Sequence, residues 1–115
     1  MSVTIYHNPR CSKSRTTLAL LEENGITPTI VEYLQNPPDI ATLTNILGLL
    51  DIAPRKLMRT GEGEYKAAQA QLEDMDDAGL IEWLTKNPQV IERPVVVTAK
   101  GACIGRPPEN VLEII

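Results

Sequence analysis

The 115-residue chain has no phenylalanine, and its aromatic residues are three tyrosines and one tryptophan. Its core must therefore be built mainly from Leu, Ile, Val and Ala. Two cysteines, Cys11 and Cys103, are too few for the disulfide framework of a secreted scaffold. An excess of positive charge is also missing. The formal net charge is −4 and the sequence pI is about 4.9, which argues against a general nucleic-acid surface. No apolar run approaches membrane-spanning length. No basic segment followed by an apolar run stands at Met1-Ser2-Val3-Thr4, so no signal peptide is read there. Zinc-like Cys/His spacing is lacking too, and no metal is expected. These absences point to a reducing cytoplasm and to a protein without nucleic-acid or membrane partners, expected to be a monomer. The length suits one compact domain, 1–115, able to bury a core unaided, and the 43% hydrophobic share is ordinary for one.

Against the acidic background, the basic cluster Arg10-Cys11-Ser12-Lys13-Ser14-Arg15 stands out. Val3-Thr4-Ile5-Tyr6 alternates as a buried strand does. Asn8-Pro9 then breaks the extended chain, since proline fixes φ and lacks an N–H. A helical run follows from Thr16 to Asn24, which puts Cys11 between a strand end and a helix start. The first N–H groups of a helix have no partner within it, and the dipole adds partial positive charge there. A thiol so placed ionises more easily, and the same N–H groups can hold an oxyanion. The competing reading makes Cys11 a small buried hydrophobe. Its charged and polar neighbours weigh against that.

After the first helix, in which Leu18, Leu20 and Leu21 face a sheet, Gly25 supplies a stop. Thr29 to Tyr33 reads as a second strand, giving a strand-helix-strand unit with parallel pairing. Asn36-Pro37-Pro38-Asp39 starts a new helix carrying Ile40, Leu43, Ile46, Leu47 and Leu50 at helical spacing. A short helical piece runs from Ala53 to about Arg59, a stripe of Tyr65, Ala68 and Leu72 follows, and another helix carries Leu80, Ile81 and Leu84. Residues 37–87 thus form a mostly helical insertion. The sheet resumes over Pro94–Thr98, turns at Lys100-Gly101 into Ala102-Cys103-Ile104, and leads into a short terminal helix from Pro107-Pro108. The order predicts an α/β mixed sheet with helices.

Cys11 after the first strand and a closing ββα unit look like a thioredoxin-like fold. More closely, Tyr6-His7-Asn8-Pro9, Cys11, Ser14-Arg15, Tyr33-Leu34-Gln35-Asn36-Pro37-Pro38, Glu92-Arg93-Pro94-Val95-Val96-Val97-Thr98 and Gly105-Arg106-Pro107 resemble the glutaredoxin-coupled arsenate reductase (ArsC) family. Asn8-Pro9-Arg10-Cys11-Ser12 is similar to a short branch of it. The resemblance implies that a Cys11 thiolate attacks arsenate and forms a Cys–arsenic adduct. Glutathione, as co-substrate, and glutaredoxin, as partner, complete reduction to arsenite, with no bound cofactor. It also implies that Arg59, Arg93 and Arg106 bind the oxyanion, that His7 lies close to the thiol, and that Ser14 and Arg15 support its loop. A cis Arg93–Pro94 bond facing Cys11 is implied as well. Planar guanidinium forks suit arsenate's shared negative charge, and preset donors stabilise charge that develops during attack.

Each residue also has a plainer reading by itself. His7 could hydrogen-bond a backbone carbonyl, Arg59 could complement a helix dipole, and Arg93 and Arg106, each before a proline, could be structural or surface residues. Cys103 fits a packed strand side chain better than a resolving thiol. Ser14 stands where a C-x-x-C pair would have its second cysteine, so a reductase here must pass oxidising equivalents to an external thiol. Two other functions fit the same residues. One is a monothiol, glutathione-dependent thiol transferase. The other is a non-enzymatic regulator like the Spx proteins, which bind RNA polymerase but typically use a local dithiol. Arg10 adds charge beside the thiol and leaves room for an oxyanion other than arsenate.

Overall fold

The structure is a computed structural model that describes residues 2–115. The chain divides into two compact units. One comprises the chain up to Asn36 and from Arg93 to Ile115, the other Pro37–Glu92.

The first unit is built on a sheet. Strand β1 (Thr4–His7) leads through the cysteine loop into helix α1 (Ser12–Glu23) and on to β2 (Thr29–Glu32). β1 and β2 run parallel, with Thr4 opposite Thr29 and His7 opposite Glu32. β3 (Val95–Thr98) lies antiparallel to β1 on its other side and turns back into β4 (Gly101–Ile104). The turn is made at Gly101, whose φ of 143° favours a residue without Cβ. The order β2-β1-β3-β4 is the mixed α/β sheet expected of a thioredoxin-like fold. Val3, Ile5, Leu21, Val96 and Val111 form its buried core, with Leu18, Leu20, Cys103 and Ile114 packed around them. Branched aliphatic side chains fill the space that phenylalanine does not, each stabilising the unit by about 1.5–3 kcal/mol when fully buried.

The second unit is helical: α2 (Ile40–Leu50), α3 (Gly63–Glu73) and α4 (Asp77–Lys86). Asp39 caps α2, its Oδ1 accepting from the Thr42 N–H at 2.8 Å, and Asp76 caps α4 in the same way at Gly79. Of the periodic stripes read from the sequence, Leu43, Ile46 and Leu47 of α2 and Leu80 and Leu84 of α4 are buried, whereas Leu50 and Ile81 are half-buried and Ile40, in the first turn of α2, is 52% exposed. Trp83, the one tryptophan, sits half-buried on α4.

Three boundaries differ from expectation. α1 begins at Ser12 rather than Thr16, so Cys11 itself is its N-cap residue. The helical unit continues past residue 87, because Met58 bridges Ile91 and the Glu92 N–H donates to the Leu57 carbonyl at 2.7 Å. The terminal segment Pro108–Glu113 is a 3-10 turn, as is Pro54–Leu57 in place of a helix ending near Arg59. Short proline-started segments have little room for an i→i−4 ladder.

Candidate active site

Cys11 takes an extended conformation, φ −94° and ψ 124°, at the end of α1 where backbone donors are unpaired. Its own N–H donates to the Asn8 carbonyl and its carbonyl accepts from the Arg15 N–H, both at 3.0 Å. The backbone N–H groups of Ser14 and Lys13 are thereby turned to the sulphur. Burial is the largest single influence on the thiol and pushes its pKa up. The Ser14 N–H, the Arg93 guanidinium and the Lys13 N–H together outweigh it, so the thiol ionises below its ordinary range.

The loop before the helix is pinned from inside. His7 Nδ1 and Ser14 Oγ are hydrogen-bonded at 2.6 Å, and the same Oγ accepts from the Asn8 N–H at 3.0 Å. Asn8 Oδ1 accepts from the Arg10 N–H, closing an Asx turn around Pro9. Arg15 Nη1 donates to the Pro9 carbonyl at 2.9 Å. His7 and Ser14 are both buried. Burial lowers the His7 pKa against the raising effect of Glu32, aided by Arg15, and this favours a neutral ring. His7 therefore reaches the thiol loop through Ser14 rather than through the sulphur.

Two of the three expected arginines meet Cys11. Arg106 Nη2 approaches Sγ at 3.7 Å, while its Nε donates to the Arg93 carbonyl at 2.8 Å. Arg93 supplies both a hydrogen bond and Coulombic attraction to the thiolate. Its peptide bond to Pro94 is cis, as the resemblance implied, and the Arg106–Pro107 bond is cis too. Arg59 belongs to the helical unit, where its N–H donates to the Val90 carbonyl at 2.6 Å and its Nε to Glu62 Oε1 at 3.2 Å. Cys103 lies on β4, half-buried against the sheet core. Burial, with a smaller push from Glu113, raises its thiol to about 11, so it is no ready nucleophile. No group of His, Cys, Asp and Glu able to hold a metal is present among the described residues.

Two features of the site escaped the sequence reading. Gly105 enters the sequence reading only within the Gly105-Arg106-Pro107 motif, with no role of its own. A Cβ there would stand 2.5 Å from Thr17 Oγ1 and 2.8 Å from Pro94 Cγ, so a bare backbone lets the Arg106 segment close on α1 and Pro94. Tyr33 was read as a strand residue. It is instead buried just past β2, close enough to Cys11 and Arg93 for both to act on its hydroxyl. Of the three tyrosines it alone is buried, but nothing in its local sequence signals that. The assembled site offers a stabilised thiolate, helix-end amides and two guanidinium groups, a set suited to nucleophilic attack on a bound oxyanion.

Residues 6–114 match the profile of the ArsC family. Over 114 residues the chain is 50% identical to the Escherichia coli K12 protein called uncharacterized protein YfgD, covering 98% of this chain and 96% of that one. It is 48% identical to a Haemophilus influenzae arsenate reductase over the full length of both. Among solved structures, an arsenate reductase from Vibrio cholerae superposes with a TM-score of 0.95 at 45% identity, covering 100% of this chain and 98% of that one.

Proposed function

Because the chain belongs to the ArsC family, we propose that it is an arsenate reductase working through Cys11. The observation that carries this reading is the placing of Cys11 at the start of α1, with the Arg93 and Arg106 guanidinium groups beside its sulphur. The Cys11 thiolate attacks arsenic, a sulphur–arsenic bond forms, and one arsenate oxygen leaves as water after protonation. Arg93 and Arg106 hold the remaining charged oxygens, and the Lys13 and Ser14 amides steady the sulphur before attack. Arg59 serves as a third oxyanion ligand on the strength of the family motif. His7, Ser14 and Arg15 keep the loop in shape.

Arsenate must then accept two electrons. Glutathione supplies a thiolate that attacks the adduct, and a second thiol completes a disulfide as arsenite departs. Overall, two thiols become one disulfide while arsenate loses one oxygen as water. Cys103 is a poor second thiol, because burial holds it protonated. The resolving thiol is therefore external, and glutaredoxin is the proposed partner that returns Cys11 to its free form. We place the protein, taken as a monomer, in the cytoplasm, whose reducing thiol pool suits a reaction that consumes glutathione and leaves Cys11 and Cys103 unpaired.

The test is arsenate-dependent oxidation of glutathione in the presence of glutaredoxin. The wild-type protein turns arsenate over, and Cys11→Ser, still folded, does not. Absence of turnover by wild type under ample thiol supply sinks the proposal. Turnover of a glutathionylated peptide without arsenate turnover selects the monothiol transferase instead.

A further inference from the structure

The Tyr33 side chain is 1% exposed, yet its hydroxyl has no partner in hydrogen-bond geometry among the described residues. Buried tyrosine hydroxyls usually find one, and a buried polar group left unpaired calls for an explanation. Its surroundings supply that explanation. The Arg93 guanidinium and the Asn8 side chain lie near enough to favour the phenolate. The Cys11 sulphur lies near enough to disfavour it. Arg93 carries only N–H donors and cannot accept the phenol proton. Asn8 Oδ1 accepts from the Arg10 N–H and makes no hydrogen bond to the phenol. The O–H thus lacks an acceptor beside a cation and a nucleophilic sulphur. Burial, the largest influence on the phenol, raises its pKa, so at neutral pH it remains a neutral donor.

We propose that the Tyr33 hydroxyl donates to an oxygen of the tetrahedral oxyanion bound beside Cys11 and Arg93. The assignment rests on the oxyanion site of the proposed function and adds to it a neutral donor. Arginine ligands attract any anion. A phenol O–H in a dry pocket instead requires an acceptor oxygen at one point, so it fixes how the tetrahedral group turns toward the sulphur. In the free protein the unpaired hydroxyl costs stability, and the bound oxyanion removes that cost.

Tyr33→Phe keeps the ring and deletes only this group. Since no hydrogen bond is lost in the free protein, the melting temperature should stay the same or rise slightly. Protection of Cys11 from iodoacetamide by arsenate, and by phosphate as a non-reducible probe, should weaken about tenfold, the loss expected for one hydrogen bond to a charged group. The alkylation rate without anion should match wild type and so report an intact thiol. In turnover the lost contact should raise KM, and the lost orientation should lower kcat. Equal protection in both proteins overturns the assignment. So does a melting temperature several degrees lower, which would make the hydroxyl a structural group. Phosphate protection lost in Tyr33→Phe, in a wild type that turns over no arsenate, would uphold the anion contact and end the arsenate reductase reading. Failure of arsenate, phosphate and sulfate alike to protect wild-type Cys11 overturns both.

Discussion

Alanine at Gly105 would place a methyl carbon in occupied space. Its Cβ would lie 2.5 Å from Thr17 Oγ1, 2.8 Å from Pro94 Cγ and 3.2 Å from Thr17 Cγ2. Ordinary contact requires these atoms to withdraw by roughly 0.5–1 Å. Neither neighbour gives way easily. Thr17 is fully buried on α1 and its Oγ1 donates to the Lys13 carbonyl at 2.8 Å. Pro94 is buried, with its ring fused to the backbone. Overpacking of this kind costs about 1–3 kcal/mol. At a urea dependence of about 1–3 kcal/mol per molar, the unfolding midpoint of Gly105→Ala should fall by roughly 1 M. The strain should also reach the thiol, because Gly105 adjoins Arg106 and Thr17 rides on the helix that Cys11 starts. Alkylation rate against pH should therefore show a higher Cys11 pKa. Thr17→Ala removes two of the three close atoms and leaves Pro94. In that background Gly105→Ala should cost less, which a double-mutant cycle measures. An unchanged midpoint together with an unchanged thiol titration would refute this account of the close approach, as would strict additivity in the cycle.

Two further expectations concern the thiols. Arg93→Ala should raise the Cys11 pKa and slow its alkylation at neutral pH, with Arg93→Lys recovering part of the loss. An unaltered rate would mean that the α1 amides alone hold the thiolate. Cys103, raised to about 11 when folded against an ordinary 9.0, keeps its proton longer in the folded chain. Its contribution to stability is thus fully present below pH 9 and lost as pH rises toward 11. Urea melts across that window should show wild type losing stability faster than Cys103→Ala, and parallel curves would contradict the burial of the thiol.

The thiol loop was legible because its signals are local: an alternating strand, Asn8-Pro9, and basic residues crowded about Cys11. The true start of α1 was not. Ser12, Lys13 and Arg15 are exposed and Ser14 is buried but polar, so the first turn carries no apolar period, and a reading keyed to periodicity begins too late. The end of the helical unit was hidden for another reason. Glu92 is held there by Leu57, a partner 35 positions away that no local pattern announces. Asp39 and Asp76, by contrast, cap helices as acidic residues before apolar stripes should. Arg93 and Arg106 were found through motifs, but their approach to the sulphur depends on how β3 and β4 return to β1. Tyr33 lay beyond reach because burial of a hydroxyl is set by the fold and not by its neighbours in sequence.

Scarcity of aromatics has a practical side. The lone indole belongs to the helical unit, at Trp83, while the reactive thiol belongs to the sheet unit, at Cys11. Unmodified protein thus carries one intrinsic reporter in each half: emission from one, chemical accessibility of the other. Coincident denaturation curves from the two would identify a single cooperative melt, and separated curves would mark the halves as independent foldons.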